Sequence, residues 1–242
     1  MPLKLDERAP HIARLMLAYA DQVQNAAVIA TAQARDDREP YLQDPLACRC
    51  IAHIVAAGTG GATAQELAAA TNQADLSGAL RMLRQQDIVE DGPNPTGLRL
   101  TARGRTRVEF LMITRLVGPG EVTTYGTISK IVHWDKDDVD RPTQPGHTVA
   151  QTIRTNQGAC HLHRIVSSHG VVLVGQTYGT LTEVEIVGRL RAEHVPVATR
   201  RNGGHRVARS LIVDGAELER RLVTRHQNAG PAASSRGHAA TN

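Results

Sequence analysis

Glu121-Val-Thr-Thr-Tyr-Gly126 stands directly after the turn signal Val117-Gly-Pro-Gly120 and leads into Thr127 to Val132, whose spacing predicts a short helix. Further on, Gly146-His-Thr-Val-Ala-Gln-Thr-Ile-Arg-Thr-Asn156 sets Val149 and Ile153 four apart on one helical face. His163-Arg-Ile-Val166 then reads as a short strand, closed by Ser167-Ser-His-Gly170 as a turn. Two short helices, a connection between them and a strand after them predict a helix-turn-helix set into a small α/β domain.

Taken together, these residues resemble the DNA-binding domain of the O6-alkylguanine-DNA alkyltransferases. The likeness rests on V-x-P-G-E-V-T-T-Y-G, a helix ending R-x-N, and H-R-I-V-x-S-x-G. That family carries its reactive cysteine in Pro-Cys-His-Arg-Val, whereas this chain reads His161-Leu-His-Arg-Ile165, so Leu162 takes the cysteine's place. Alkyltransferase-like proteins also lack the cysteine, usually with tryptophan or alanine there, and bind alkylated bases without repairing them. Arg191-Ala-Glu-His-Val195 is similar to the family's closing helix, and Val213 to Arg220 to the terminal strand-turn of the alkyltransferase-like branch. The resemblance covers about half the chain, from Phe110 to Leu222.

The resemblance implies roles. A base inside a duplex must be rotated out before a protein can inspect it, at about a few kcal/mol for lost stacking and pairing. Tyr125 matches the tyrosine that crowds the phosphate and lines the pocket. His147 falls where the family has its intercalating arginine, which it replaces with a smaller and only partly charged ring. Arg154 would hold phosphate and Asn156 would brace the active-site turn, with Thr124 and Gln151 among the groove-facing residues. The pocket would comprise Asn156, Leu162, His163, Arg164, Tyr178 and Glu193. His163 and Glu193 match the base and acid that activate the family's thiol, so activating groups are expected without a nucleophile and no catalytic residue is expected. Cys160 lies two residues upstream, on a strand the same face but about 6–7 Å away, and is not expected to accept an alkyl group. His161, His163 and His169 include a His-x-His ligand spacing without a third and fourth ligand at fixed spacing, so neither a metal nor a cofactor is expected. The four aspartates between His133 and Pro142 read as a polar loop.

At 242 residues the chain can bury one large core or two small ones, and with 2% aromatics that core must be aliphatic. A formal charge of +4 is compatible with a polyanionic partner. Three cysteines, two of them Cys48 and Cys50, give no disulfide framework and point to a reducing compartment. No apolar stretch reaches membrane-spanning length and the N-terminus has no signal-like apolar core. The expected location is the cytoplasm, at the nucleoid.

Four parts are expected. Residues 1–43 form a helical arm, with Ile12, Leu15, Met16, Tyr19 and Val23 at helical spacing over about Asp6 to Ala34. Residues 44–108 run from the cap pair Asp44-Pro45, through the capping box Thr63-Ala-Gln-Glu66, to a third helix from Ala74 to Gln85. Ile88-Val89, a turn at Asp91 to Pro95, Leu98-Arg-Leu100 and Thr101-Ala-Arg-Gly-Arg105 follow. Three helices and a two-stranded wing resemble the winged helix-turn-helix superfamily. Its third helix would turn Gln73, Ser77, Arg81 and Arg84 toward the major groove. Residues 109–223 are the alkyltransferase-like part, and 224–242 read as a disordered tail.

The fold class expected is therefore mainly α with small β elements. The leading expectation is a non-catalytic protein that binds duplex DNA and a modified or damaged base. Alternatives are a sequence-specific transcriptional or plasmid regulator, and a modification-dependent nuclease or glycosylase. A repair or restriction protein as partner, and a homodimer through the N-terminal or winged helix, are also expected; a membrane is not.

Overall fold

The computed structural model describes residues 3–29, 40–92, 97–132, 161–172, 182–201 and 203–224. Within them the chain is mainly helical with small sheets. His147, Gln151, Arg154, Asn156, Cys160 and Tyr178, the aspartate-rich loop and the tail fall outside the described residues.

Helix α1 spans Leu5–Ile29 and buries Ile12, Met16, Tyr19, Ala20 and Val23, the spacing of one helical face. After a short α2 (Pro40–Gln43), α3 runs Pro45–Ala56 and forms the main bed for α1. Asp44 caps α3 by accepting from the Leu46 amide at 2.8 Å, and Pro45 sits at its first position, as the sequence predicts. Strand β1 (Ala62–Thr63) enters α4 (Ala64–Thr71) through the expected reciprocal capping box of Thr63 and Glu66. Asn72 ends α4 in the left-handed region at φ 53°. Helix α5 covers Ser77–Gln85, starting three residues later than the apolar spacing suggests. Asp75 accepts from the Ser77 amide at 2.9 Å and so fixes the start; Leu76, just outside the helix, is still buried with Leu80 and Leu83. Strands β2 (Val89–Asp91) and β3 (Gly97–Leu100) complete an antiparallel sheet of order β1-β3-β2, one strand more than the two-stranded wing.

Helix α6 (Ala102–Thr114) has no counterpart in the sequence reading, and the boundary placed at 108/109 falls inside it. Its polar residues hid it. Arg107, Glu109 and Thr114 are buried along with Val108, Phe110, Leu111 and Ile113, so no polar face was visible. The run Leu100-Thr-Ala-Arg-Gly-Arg105 has a physical explanation here. Thr101 accepts from the Gly104 amide and donates to the Asp87 carbonyl, both at 2.8 Å. A Cβ on Gly104 would stand 2.2 Å from the Ile88 carbonyl oxygen, so only glycine lets α6 start this close to β2.

A second sheet is parallel, in the order β5-β4-β8, with β4 at Val122–Thr124, β5 at Ile165–Val166 and β8 at Ile212–Val213. Between these strands lie α7 (Tyr125–Val132), α8 (Glu183–Ala192) and the hairpin β6 (Val197–Thr199) and β7 (His205–Val207). Two expectations need correction. His163 and Arg164 are not in a strand; Leu162–Arg164 is a 3-10 turn and only Ile165–Val166 pair. Successive strand residues point to opposite faces, whereas both of these side chains turn to one carboxylate. Position 162 therefore does not stand on a strand, and the same-face argument for Cys160 no longer applies. Val213 to Arg220 is a strand-turn only at its start: Val213 ends β8, and Asp214 accepts from the Glu217 amide at 2.9 Å and opens α9 (Gly215–Thr224), which buries Leu218 and Leu222.

One apolar cluster runs from Ile12 and Met16 through Leu67, Phe110 and Ile128 to Leu218 and Leu222. A smaller one joins Val122, Val166, Ile186, Leu190 and Val207 beneath the second sheet. A buried ion pair crosses the larger cluster. Arg8 Nε donates to Glu109 at 2.9 Å, and its Nη2 donates to the Val132 carbonyl that ends α7.

Candidate nucleic-acid interface

The second sheet brings the 3-10 turn before β5 next to the end of α8, and there three expected residues meet. His163 Nε2 lies 2.8 Å from Glu193 Oε1. Arg164 grips the same carboxylate from both sides, Nε to Oε2 at 2.8 Å and Nη2 to Oε1 at 2.7 Å. Its Nη1 donates to the Val117 carbonyl at 2.7 Å, tying this cluster to the turn before β4. Glu193 is presented by the end of α8, which the Thr182–Glu185 capping box opens.

Electrostatics fix the protonation. Burial by itself would raise the Glu193 carboxyl, but hydrogen bonds from Arg164 and His163 overcome it and bring it down to about 2. The carboxylate can only accept, so His163 Nε2 is the donor. Burial also holds His163 below the usual histidine range, against the pull of Glu193. The ring is thus neutral near pH 7, and Nδ1 is a bare acceptor. That atom is buried and has no hydrogen-bond partner among the described residues. His161 packs edge-on to His163, ring centroids 6.0 Å apart, and burial followed by the field of Arg164 pushes it down to about 4.

Arg164 is turned inward and fully engaged, so it braces the cluster instead of lining an opening. Thr124, buried, accepts from the Thr127 amide at 3.0 Å and caps α7, a folding role. Tyr125 begins α7, half-buried against the main core. On α5, Gln73 just before it, Ser77, Arg81 and Arg84 are all exposed. Arg84, however, pairs with Asp91 at 2.8 Å, Arg99 with Glu90 at 2.8 Å and Arg103 with Asp87 at 3.6 Å. Arg81 has no ion-pair partner among the described residues.

Glu121 stands inside the opening motif but outside the expected site residues. It accepts from the Gly118 amide and from Arg221 on α9, and those bonds hold its carboxyl below the usual range. Nothing local signals this, because the partner is 100 residues away. A cleft of about 400 Å³, counting space open to solvent, lies elsewhere between α1, α3, β3 and α6. Ala9, Ile54, Val55, Leu100, Arg105 and Glu109 line it, and none of the expected site residues does. Among the described residues no three or more His, Cys, Asp or Glu side chains are placed to hold a metal ion, and no helix is long and apolar enough to cross a membrane.

Set against known proteins, the chain matches no family model, no curated protein and no solved structure.

Proposed function

We propose that this protein binds duplex DNA without catalysis, through a winged helix-turn-helix over residues 44–108 and an alkyltransferase-like domain over 109–223 that lacks the reactive cysteine. One observation carries the reading: Glu193 holds His163 directly after position 162, where the chain has leucine. An acid-oriented imidazole beside a nucleophile's position is the arrangement that lowers a thiol's pKa. Here the arrangement stands without a thiol at that position, which suits holding a base better than transferring from it. The element order α3, β1, α4, α5, β2, β3 supports the winged-helix half. The reading includes a modified or alkylated base rotated into the pocket by Tyr125 and His147, a repair or restriction partner, and a place at the nucleoid.

The test is binding to a duplex with one labelled O6-methylguanine and to its unmodified twin. Tighter binding of the modified duplex is expected, with no label left on the protein. Tyr125→Ala should weaken it by about 1–3 kcal/mol, more for the modified duplex. Label transferred stoichiometrically to the protein would overturn the non-catalytic reading.

A sequence-specific regulator is the second reading, favoured by exposed Ser77 and Arg81 on α5 and exposed Gln73 before it. It gains if both duplexes bind equally and one sequence is preferred.

A further inference from the structure

From His194 to Val213 the chain has four arginines and neither aspartate nor glutamate. This stretch is the β6–β7 hairpin and the turn after it. Arg200 and Arg201 sit at the tip, Arg206 on β7 and Arg209 in the 3-10 turn that follows. All four are exposed, and none has an ion-pair partner among the described residues. Around α5, by contrast, Arg84, Arg99 and Arg103 each meet an acid, and Arg81 alone of the four expected or wing arginines there has no such partner among the described residues. Unpaired like charge repels itself until an anionic partner arrives.

The hairpin is rooted in the candidate site by hydrogen bonds. Val207 donates to the Gly170 carbonyl at 2.9 Å, and Val172 donates to that of His205 at 3.0 Å. A Cβ on Gly170, at φ 77°, would come within 2.5 Å of the Val207 carbonyl oxygen, so the turn after β5 lies flat on β7. His205 Nδ1 lies 2.8 Å from Glu183 at the start of α8. At the tip, Arg200 donates to the Gly204 carbonyl at 2.7 Å. Val207 points into the smaller core and Arg206, its strand neighbour, points out.

We infer that the β6–β7 hairpin is a phosphate-gripping arm for the DNA backbone beside the His163–Glu193 cluster, an inference that rests on the DNA-binding reading. Guanidinium forks match phosphate geometry, and a two-stranded ribbon is narrow enough for a major groove. The ribbon has no exposed large apolar side chain; among the described residues that description fits Val184, on α8. Protein interfaces rely on buried apolar and aromatic anchors, whereas backbone recognition needs only charge and hydrogen bonds.

The test uses the full chain, a short unmodified duplex and anisotropy titrations between about 50 and 200 mM salt. Each arginine on a phosphate should contribute about 0.9 to the slope of log K against log salt. Arg200→Ala with Arg201→Ala and Arg206→Ala should flatten that slope by about 2.7, and the matching Lys triple should keep it. The exposed side chains should leave the far-ultraviolet dichroism unchanged; if the triple does not fold, each single variant should still lose about 0.9. An unchanged slope in the Ala variants, with the unmutated protein binding, overturns the arm alone. Polyglutamate binding lost in the triple while duplex binding persists also overturns it, assigning the hairpin to an acidic protein. No duplex binding by the unmutated protein overturns the DNA reading and the arm with it.

Discussion

Glu193 Oε1 lies 2.8 Å from His163 Nε2, a contact between residues 30 apart in sequence, and the same carboxylate neutralises the buried Arg164. Glu193→Gln keeps the shape but removes the charge that balances this guanidinium. Glu193 is partly exposed, so the loss should stay below that of a fully buried pair, at about 2–3 kcal/mol. Urea unfolding measures it, and a loss under about 0.5 kcal/mol would mean that the cluster does not stabilise the fold.

Acid should weaken the fold in two stages. His161 titrates at about 4 in the folded chain against an ordinary 6.5, and His163 is shifted in the same direction. The unfolded chain therefore takes up protons first, so this stability is complete above about pH 6.5 and is lost as pH falls toward 4. Glu193, at about 2 against an ordinary 4.5, contributes stability that is complete above 4.5 and lost as pH falls through 2. Melting temperature against pH should fall along both limbs. His161→Gln should flatten the upper limb while leaving the value at pH 8 unchanged.

Arg8 and Glu109 are both almost wholly buried and join α1 to α6. Glu109→Ala leaves an uncompensated buried guanidinium and should cost about 3–5 kcal/mol. Arg8→Met combined with Glu109→Leu should recover much of that loss, because apolar side chains of similar volume need no partner. Chemical denaturation of Arg8→Met, Glu109→Leu and the double variant forms the cycle, and additive losses would rule out coupling.

Two glycines should respond in opposite directions. Gly104→Ala drives a methyl into the Ile88 carbonyl and should destabilise by about 1–3 kcal/mol. Gly78, in the first turn of α5, has nothing within 4 Å of an added Cβ, so Gly78→Ala should stabilise by about 0.4–1 kcal/mol. Thermal melting separates the two signs.

Much of the architecture is written locally. Asp44-Pro45, the Thr63–Glu66 box and Asn72 mark helix ends because a capping side chain reaches only two or three residues along the chain. The apolar spacing of α1 and α5 placed their buried faces for the same reason. Where polar side chains are buried, that signal fails: α6 hides Glu109, paired with Arg8 101 residues away, and Arg107, which donates to the Gln86 carbonyl, among its apolar residues. Of the site, the sequence by itself put leucine at position 162 and marked His163, Arg164 and Glu193 through a resemblance. That one carboxylate binds both neighbours, and so turns the chain into a 3-10 turn where a strand was expected, was decided by tertiary structure alone. Burial makes an unbalanced guanidinium too costly to leave unpaired, and only packing of α8 against β5 determines which groups are buried together.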